Sequence, residues 1–187
     1  SAKYILGCVG GRLLANGEIV IPDEAAAPRT AIGVRADGSA VFYAIDGRQP
    51  GKSYGVRLTT LAKRLKELGC VDAVNLDGGG STSVMGRLPG NNAMTLLNSP
   101  SDGALRAVAN FVGLIDYTMP TGRLAHLYLT PYYEKYLVGA SQTISVIGAD
   151  DNFHPMDIGG EVILSSGDNV LIDGMNVTFL EAGEITI

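Results

Sequence analysis

Leu58-Thr59-Thr60-Leu61-Ala62-Lys63-Arg64-Leu65-Lys66-Glu67-Leu68-Gly69, followed without a gap by Cys70-Val71-Asp72-Ala73-Val74-Asn75-Leu76-Asp77-Gly78-Gly79-Gly80-Ser81-Thr82, is the stretch that decides the fold. Two periods meet in it. Leu58, Leu61, Ala62, Leu65 and Leu68 recur at three and four residues, so they share one helical face, which Thr59 or Thr60 can cap and Gly69 can stop. Val71, Ala73, Val74 and Leu76 then make an apolar run too short for a second helix, which predicts a buried strand ending at Asp77. A carboxylate at a strand end, three glycines and the hydroxyls of Ser81 and Thr82 form the strongest local signal in the chain. The glycines let a ligand approach the backbone, and their amides can form a nest for an anion. A glycine turn without a ligand is the plainer interpretation. A Walker phosphate loop is excluded, because the lysine that should follow the glycines is replaced by Ser81-Thr82-Ser83.

Working upstream, short strands are expected at 4–9, 12–14 and 18–21, with Asn16-Gly17 as a hairpin turn. Residues 30–35 and 40–45 flank Ala36-Asp37-Gly38-Ser39 and form a second hairpin. Strand 40–45, the helix and strand 71–76 then suggest a right-handed parallel crossover, with an irregular α+β arrangement as the alternative. If the two strands are parallel, Asp46 and Asp77 leave the sheet on one rim, where such sheets bind ligands. The expected fold class is α/β, in the form of an α+β mixed sheet with one principal helix near 59–68.

Downstream of residue 122 the texture changes. The runs 124–129, 133–138, 143–147, 161–164, 170–172 and 176–180 are short and separated by Gly, Asp, Asn or Pro, which predicts a small all-β, Ig-like sandwich. The charge distribution divides the chain at the same place. Residues 1–120 carry 12 Lys and Arg against 10 Asp and Glu, whereas residues 121–187 carry 2 against 9, so the two parts read as units with different tasks. The expected domains are therefore 1–120 and 121–187, the second small for an independent fold and perhaps cut short, joined at Met119-Pro120-Thr121-Gly122.

Of the 187 residues, 46% are hydrophobic and 18% charged, which excludes disorder. A net charge of −5 argues against a nucleic-acid partner, which normally leaves a basic stripe. No apolar stretch approaches the roughly 18 to 20 residues needed to cross a bilayer, and Ser1-Ala2-Lys3 opens no targeting signal, so the chain reads as soluble. Cys8 and Cys70 allow at most one bridge, and their apolar and glycine neighbours favour two buried thiols. No second Cys or His falls at ligand spacing around them, so no metal site is expected. Asp150-Asp151-Asn152 could hold calcium, but without the ligand spacing of a calcium loop it reads as a solvated acidic loop.

Two further polar clusters accompany the glycine turn. Asp46-Gly47-Arg48, with Gly51, Ser53 and Tyr54 close behind, joins a carboxylate to a guanidinium fork suited to phosphate and to an aromatic ring that could stack on a sugar. Asn98-Ser99-Pro100-Ser101-Asp102-Gly103 with Arg106 is a polar loop of similar content. Either could be only a turn. Together they set Arg29, Arg48 and Arg106 beside three aspartates, as hydrolysis of a sugar that carries a phosphate would require.

Pro28-Arg29-Thr30-Ala31-Ile32-Gly33, Asp46-Gly47-Arg48, Ser53-Tyr54-Gly55, the helix at 58–69, Ala73 to Thr82, and Asn98 to Gly103 with Arg106 resemble, in this order, the motifs of the phosphodiester glycosidase family. The resemblance covers roughly residues 5–115. It implies hydrolysis of a glycosyl phosphodiester to a free sugar and a phosphomonoester, without a cofactor. It also implies Asp46, Asp77 and Asp102 as candidate catalytic carboxylates, and Arg29, Thr30, Arg48, Tyr54, Gly78, Gly79, Gly80, Ser81, Thr82, Asn98 and Arg106 as substrate-binding residues. Bacterial members are linked to exopolysaccharide or cell-wall glycans, so a secreted or cell-surface location is expected. Family members carry an upstream portion with an Asn-Gly-Gly-Phe-like stretch, so residues 1–120 read as the C-terminal part of the domain. The rival from another class is a non-catalytic phosphoglycan-binding module, distinguished by sugar binding insensitive to loss of Asp77. A third reading makes the acidic β-unit an adhesive or spacer module.

Overall fold

The computed structural model describes residues 11–131 and 136–183. The strand expected at 4–9, Cys8 and residues 133–135 of the run at 133–138 lie outside them. The chain divides into two compact units: Ser1–Gly86 with Thr95–Gly113, and Arg87–Met94 with Leu114–Ile187.

In the first unit the elements follow in the order β1 (Arg12–Ala15), β2 (Glu18–Ile19), β3 (Arg29–Arg35), β4 (Ala40–Ile45), α1 (Leu58–Glu67) and β5 (Cys70–Asn75), then a 3-10 turn at Gly79–Ser81. A two-stranded ribbon, β6 (Met85–Arg87) and β7 (Met94–Leu96), follows at the point where the chain leaves the first unit and returns to it. Asn16 and Gly17 both take left-handed φ, 49° and 79°, which is the tight turn that β1 and β2 need. Asp37 closes the β3–β4 hairpin by accepting bonds from the Ser39 amide at 2.9 Å and hydroxyl at 2.7 Å.

The sheet order is β2-β1-β5-β3-β4, and every pairing is antiparallel. This corrects the expected α/β crossover: the unit is α+β, with an antiparallel sheet. The tight hairpin commits one edge of β3 to β4, so the strand leaving α1 adds to the other edge. β4 and β5 consequently run in the same direction with β3 between them, and their carboxyl ends emerge on one edge of the sheet.

Leu58, Leu61, Ala62 and Leu65 of α1 are buried against Leu13, Leu14, Ala31, Cys70 and Ala73. Gly69 at φ +86° ends the helix. The start differs from expectation, because Arg57 is the N-cap and supplies no side-chain cap. Thr59 instead donates to Asp23 Oδ1 at 2.7 Å, and so ties the helix to the loop before β3. Cys70 is a free, buried thiol under Gly33, and burial pushes its pKa up, which keeps it an inert small hydrophobe.

The second unit contains β8 (Leu124–Thr130), β9 (Ser141–Thr143), β10 (Ser145–Asp150), β11 (Pro155–Met156), β12 (Val170–Asp173) and β13 (Asn176–Phe179). They form two three-stranded antiparallel sheets, β11-β10-β8 and β12-β13-β9. The chain passes from one sheet to the other at buried Ile144, which packs with Val177 and Phe179. The expected strand at 161–164 is irregular, as are residues 136–138. Asp150 is neither solvated nor open to a cation. It is fully buried, and its carboxylate accepts N–H bonds from Thr121 at 2.6 Å and from Asn152 and His154 at 2.9 Å. Burial raises its pKa, but the three N–H bonds outweigh burial and hold the carboxyl below its ordinary range.

Candidate functional site

The edge where β3 begins and β4 and β5 end gathers all three polar clusters. Arg29 lies opposite Ile45, and Ala31 opposite both Tyr43 and Asn75, so the residues just past each strand end are neighbours. The β5 exit bends sharply. Asp77 Oδ1 accepts from the Gly78 amide at 2.9 Å, and the Gly79 amide donates to Pro28 O at 3.0 Å.

Each glycine of the triplet has its own reason to lack a side chain. A Cβ on Gly78 would lie 2.7 Å from Pro28 O. Gly79 has φ +62°, and its Cβ would meet the Arg48 guanidinium at 3.0 Å. A Cβ on Gly80 would fall on Asp102 and Arg106. The amides of Gly78, Gly79, Ser81 and Thr82 are engaged with Asp77, Pro28, Gly78 and Gly79. The turn therefore works less as the expected nest of open amides than as a floor across which two guanidinium groups lie.

Those guanidinium groups differ in electrostatic state. Arg106 is paired with Asp102 Oδ2 through Nε at 2.8 Å and Nη2 at 2.6 Å, and reaches Ser81 Oγ at 3.4 Å. Arg48, held by a backbone at φ +57°, is exposed and makes no hydrogen bond or ion pair among the described residues. Among the described residues its charge is uncompensated at this edge.

The three aspartates differ in the same way. The Asp46 carboxylate is 19% exposed and crowded with donors: Asn98 Nδ2 at 2.9 Å, the Ser99 amide at 3.1 and 3.0 Å to its two oxygens, and Lys52 Nζ at 3.6 Å. Asp102 is taken by Arg106. Asp77 is exposed and, among the described residues, accepts only the Gly78 amide.

Other expected residues sit variously around this arrangement. Thr30 donates to Thr82 at 3.4 Å, and Thr82 is buried beneath the turn. Tyr54 is 72% exposed, beside Ser53, whose hydroxyl binds Asp46 O at 2.5 Å. Arg29 is not brought to the cleft side: its guanidinium is largely buried and bound to Ala25 O at 2.8 Å, Val56 O and Glu24. Gln49 and Lys52 are not among the expected residues, and Ser99 is expected only as a member of the polar loop that Asn98 opens. Gln49 donates to Ser99 O at 2.6 Å and accepts from Ser99 Oγ at 3.0 Å. Their one local signal is adjacency to Asp46-Gly47-Arg48 and to Asn98.

An α+β domain whose sheet edge carries a glycine floor, an open carboxylate and an uncompensated guanidinium is the class that fold and site define. A family model described as phosphodiester glycosidase matches residues 2–115, more than half of the chain, and the chain belongs to that family. It is 39% identical over 85 residues to the SPbeta prophage-derived uncharacterized protein YomE of Bacillus subtilis (strain 168), covering 44% of this chain and 12% of YomE. Among solved structures it is similar to the zebrafish N-acetylglucosamine-1-phosphodiester alpha-N-acetylglucosaminidase catalytic domain auto-inhibited by its pro-peptide. The identity is 26% and the TM-score 0.40, over 51% of this chain and 34% of that one. A hypothetical protein from Synechocystis aligns at 28% identity and TM-score 0.37, over 50% and 18% of the two chains. The chain thus spans about an eighth to a third of the relatives it matches.

Proposed function

We propose that the first unit hydrolyses glycosyl phosphodiesters, breaking the bond between the anomeric carbon and the phosphate oxygen. Water supplies the new oxygen on the sugar, and the phosphate leaves as a monoester. The observation that carries this reading is the unpaired Arg48 guanidinium lying against Gly79, two residues from the open carboxylate of Asp77. A guanidinium fork suits two phosphate oxygens and stabilises the charge that develops as the phosphate departs. A phosphomonoester is a good leaving group already, so little proton donation is needed on that side. One carboxylate acting as nucleophile or as base toward water then suffices, and Asp77 is the carboxylate whose oxygens are open.

Arg106, oriented by Asp102, and the hydroxyl of Ser81 border the same phosphate position, Thr82 supports the turn from beneath, and exposed Tyr54 offers a face for the sugar. We assign the substrate to extracellular or cell-wall glycans and the protein to the cell exterior, and we take the acidic β-unit as an Ig-like spacer. Among the described residues no helix is long and apolar enough to cross a membrane.

The test is release of free sugar from the methyl diester of a glycosyl 1-phosphate by the purified protein. Asp77→Asn should abolish release while keeping the fold. Arg48→Ala should weaken turnover of diesters about tenfold to a hundredfold, from loss of a charged hydrogen bond, and spare uncharged glycosides. If both variants matched wild type on every diester, the site would lie elsewhere. Binding of glucose 1-phosphate without turnover, unchanged in Asp77→Asn, would replace the enzyme with a binding module.

A further inference from the structure

Resting on that reading, we infer that Asp46 and Asn98 are positioning residues, a clasp that holds the Arg48 loop, the glycine turn and the Asp102–Arg106 loop in one arrangement, and that Asp46 takes no part in proton transfer. Asn98 uses every polar atom of its amide. Nδ2 donates at 2.9 Å both to Asp46 Oδ1 and to Thr82 O, and Oδ1 accepts from the Val84 amide at 2.8 Å. One side chain therefore joins the β4 exit to the residues that leave the glycine turn.

Ser99 doubles the link. Its amide is shared between both Asp46 oxygens, and its hydroxyl and carbonyl pair with the Gln49 amide, the next residue after Arg48. The segment 98–99 is thus fixed to the Arg48 loop on one side and to the turn on the other, and it leads directly into Asp102 and Arg106. With Lys52 nearby at 3.6 Å, the Asp46 carboxylate faces three donors and is mostly covered. A carboxylate whose oxygens are taken by donors from two other segments is held in one orientation and has little room left for a substrate proton. Its effect on turnover comes through the placement of the two arginines, where a shift of about 1 Å costs up to about a hundredfold in rate.

The test uses the shape of the pair. Asn98→Asp keeps the acceptor for Val84 but sets oxygen against oxygen at Asp46 and Thr82. Asp46→Asn leaves an acceptor for Ser99. The exchange Asp46→Asn with Asn98→Asp restores a donor and acceptor at the joint with their places reversed. On the methyl diester, Asn98→Asp should lower kcat about tenfold to a hundredfold. The exchange repairs the Asp46 joint and leaves only the Thr82 carbonyl facing an oxygen, so it should recover part of that loss, and every variant should keep the acid limb of the wild-type pH profile.

Loss of the acid limb in Asp46→Asn would overturn the proposal and make Asp46 a catalytic residue. An exchange no better than the worse single variant would also overturn it. Two readouts are independent of turnover: hydrogen-exchange protection of the Ser99 amide, and affinity for glucose 1-phosphate. Both should fall in Asn98→Asp and return in the exchange. If wild type hydrolyses no diester, the enzymatic reading fails, and these two readouts alone decide for or against the clasp.

Discussion

Gly80→Ala separates the function of this edge from its stability. Gly80 is buried at ordinary φ, so alanine meets no backbone strain there. The methyl group would fall on the tips of Asp102 and Arg106, whose side chains are 41% and 47% exposed and therefore able to swing aside. An ion pair this exposed contributes about 0–1 kcal/mol, which bounds the loss of stability at roughly 1 kcal/mol. Turnover is a different matter. On the proposed reading, displacing Arg106 removes a charged hydrogen bond to the leaving phosphate, worth about 1.5–3 kcal/mol, and kcat/KM should drop about tenfold to a hundredfold. Urea unfolding and initial rates on the methyl diester measure the two effects side by side. Arg106→Ala should show the same rate loss, and the double variant should be no worse than the poorer single one, because both changes remove one interaction. Wild-type kcat/KM in Gly80→Ala, or a stability loss of several kcal/mol, would refute the placement of Arg106 on this glycine.

Leu65, fully buried on the inner face of α1, should cost about 2–5 kcal/mol as Leu65→Ala, read as a lower urea midpoint at unchanged slope. The Asp23 carboxyl is lowered to about 2, first by the hydrogen bond from Thr59 and then by that from Arg57. Its folded value lies below the unfolded 3.8, so the stabilisation is complete above pH 4 to 5 and disappears as pH falls through about 2. The Tm advantage of wild type over Asp23→Asn should therefore be flat near neutrality and vanish at about pH 2, and an advantage that persists there would contradict the assigned bonds.

What was legible in the sequence was what one period or one turn encodes. The 3.6-residue spacing of Leu58, Leu61 and Leu65 predicts α1, and Asn16-Gly17 predicts the first hairpin, because both signals act within a few residues. Which edge β5 joins is decided by competition between β3 and β4, and no residue of β5 carries that information. Thr59 failed as a cap for a similar reason: its hydroxyl has a partner in Asp23, 36 residues upstream. Asp46 and Asn98 are 52 residues apart, and each alone resembles an ordinary turn residue. Their roles become visible only once the loops close on one another.

Asp46 and Asp77 follow strands that end on one edge even though the sheet is antiparallel. Two strands on either side of a common antiparallel neighbour point the same way as surely as two paired parallel ones, and β4 and β5 stand so about β3. Asp46 and Asp77 must then leave on the same edge, and β3, running the other way, must start there with Pro28 and Thr30. The carbonyl of Pro28 takes the Gly79 amide, and the hydroxyl of Thr30 meets Thr82, so the strand lying between the two carboxylates also supplies the support for the turn. A glycosyl phosphodiester brings its own good leaving group and its own negative charge. An edge that commits two of its three aspartates to holding loops and arginines, and among the described residues leaves one carboxylate and one guanidinium open, supports the proposed substrate over a neutral glycoside, whose departure would call for a second free acid.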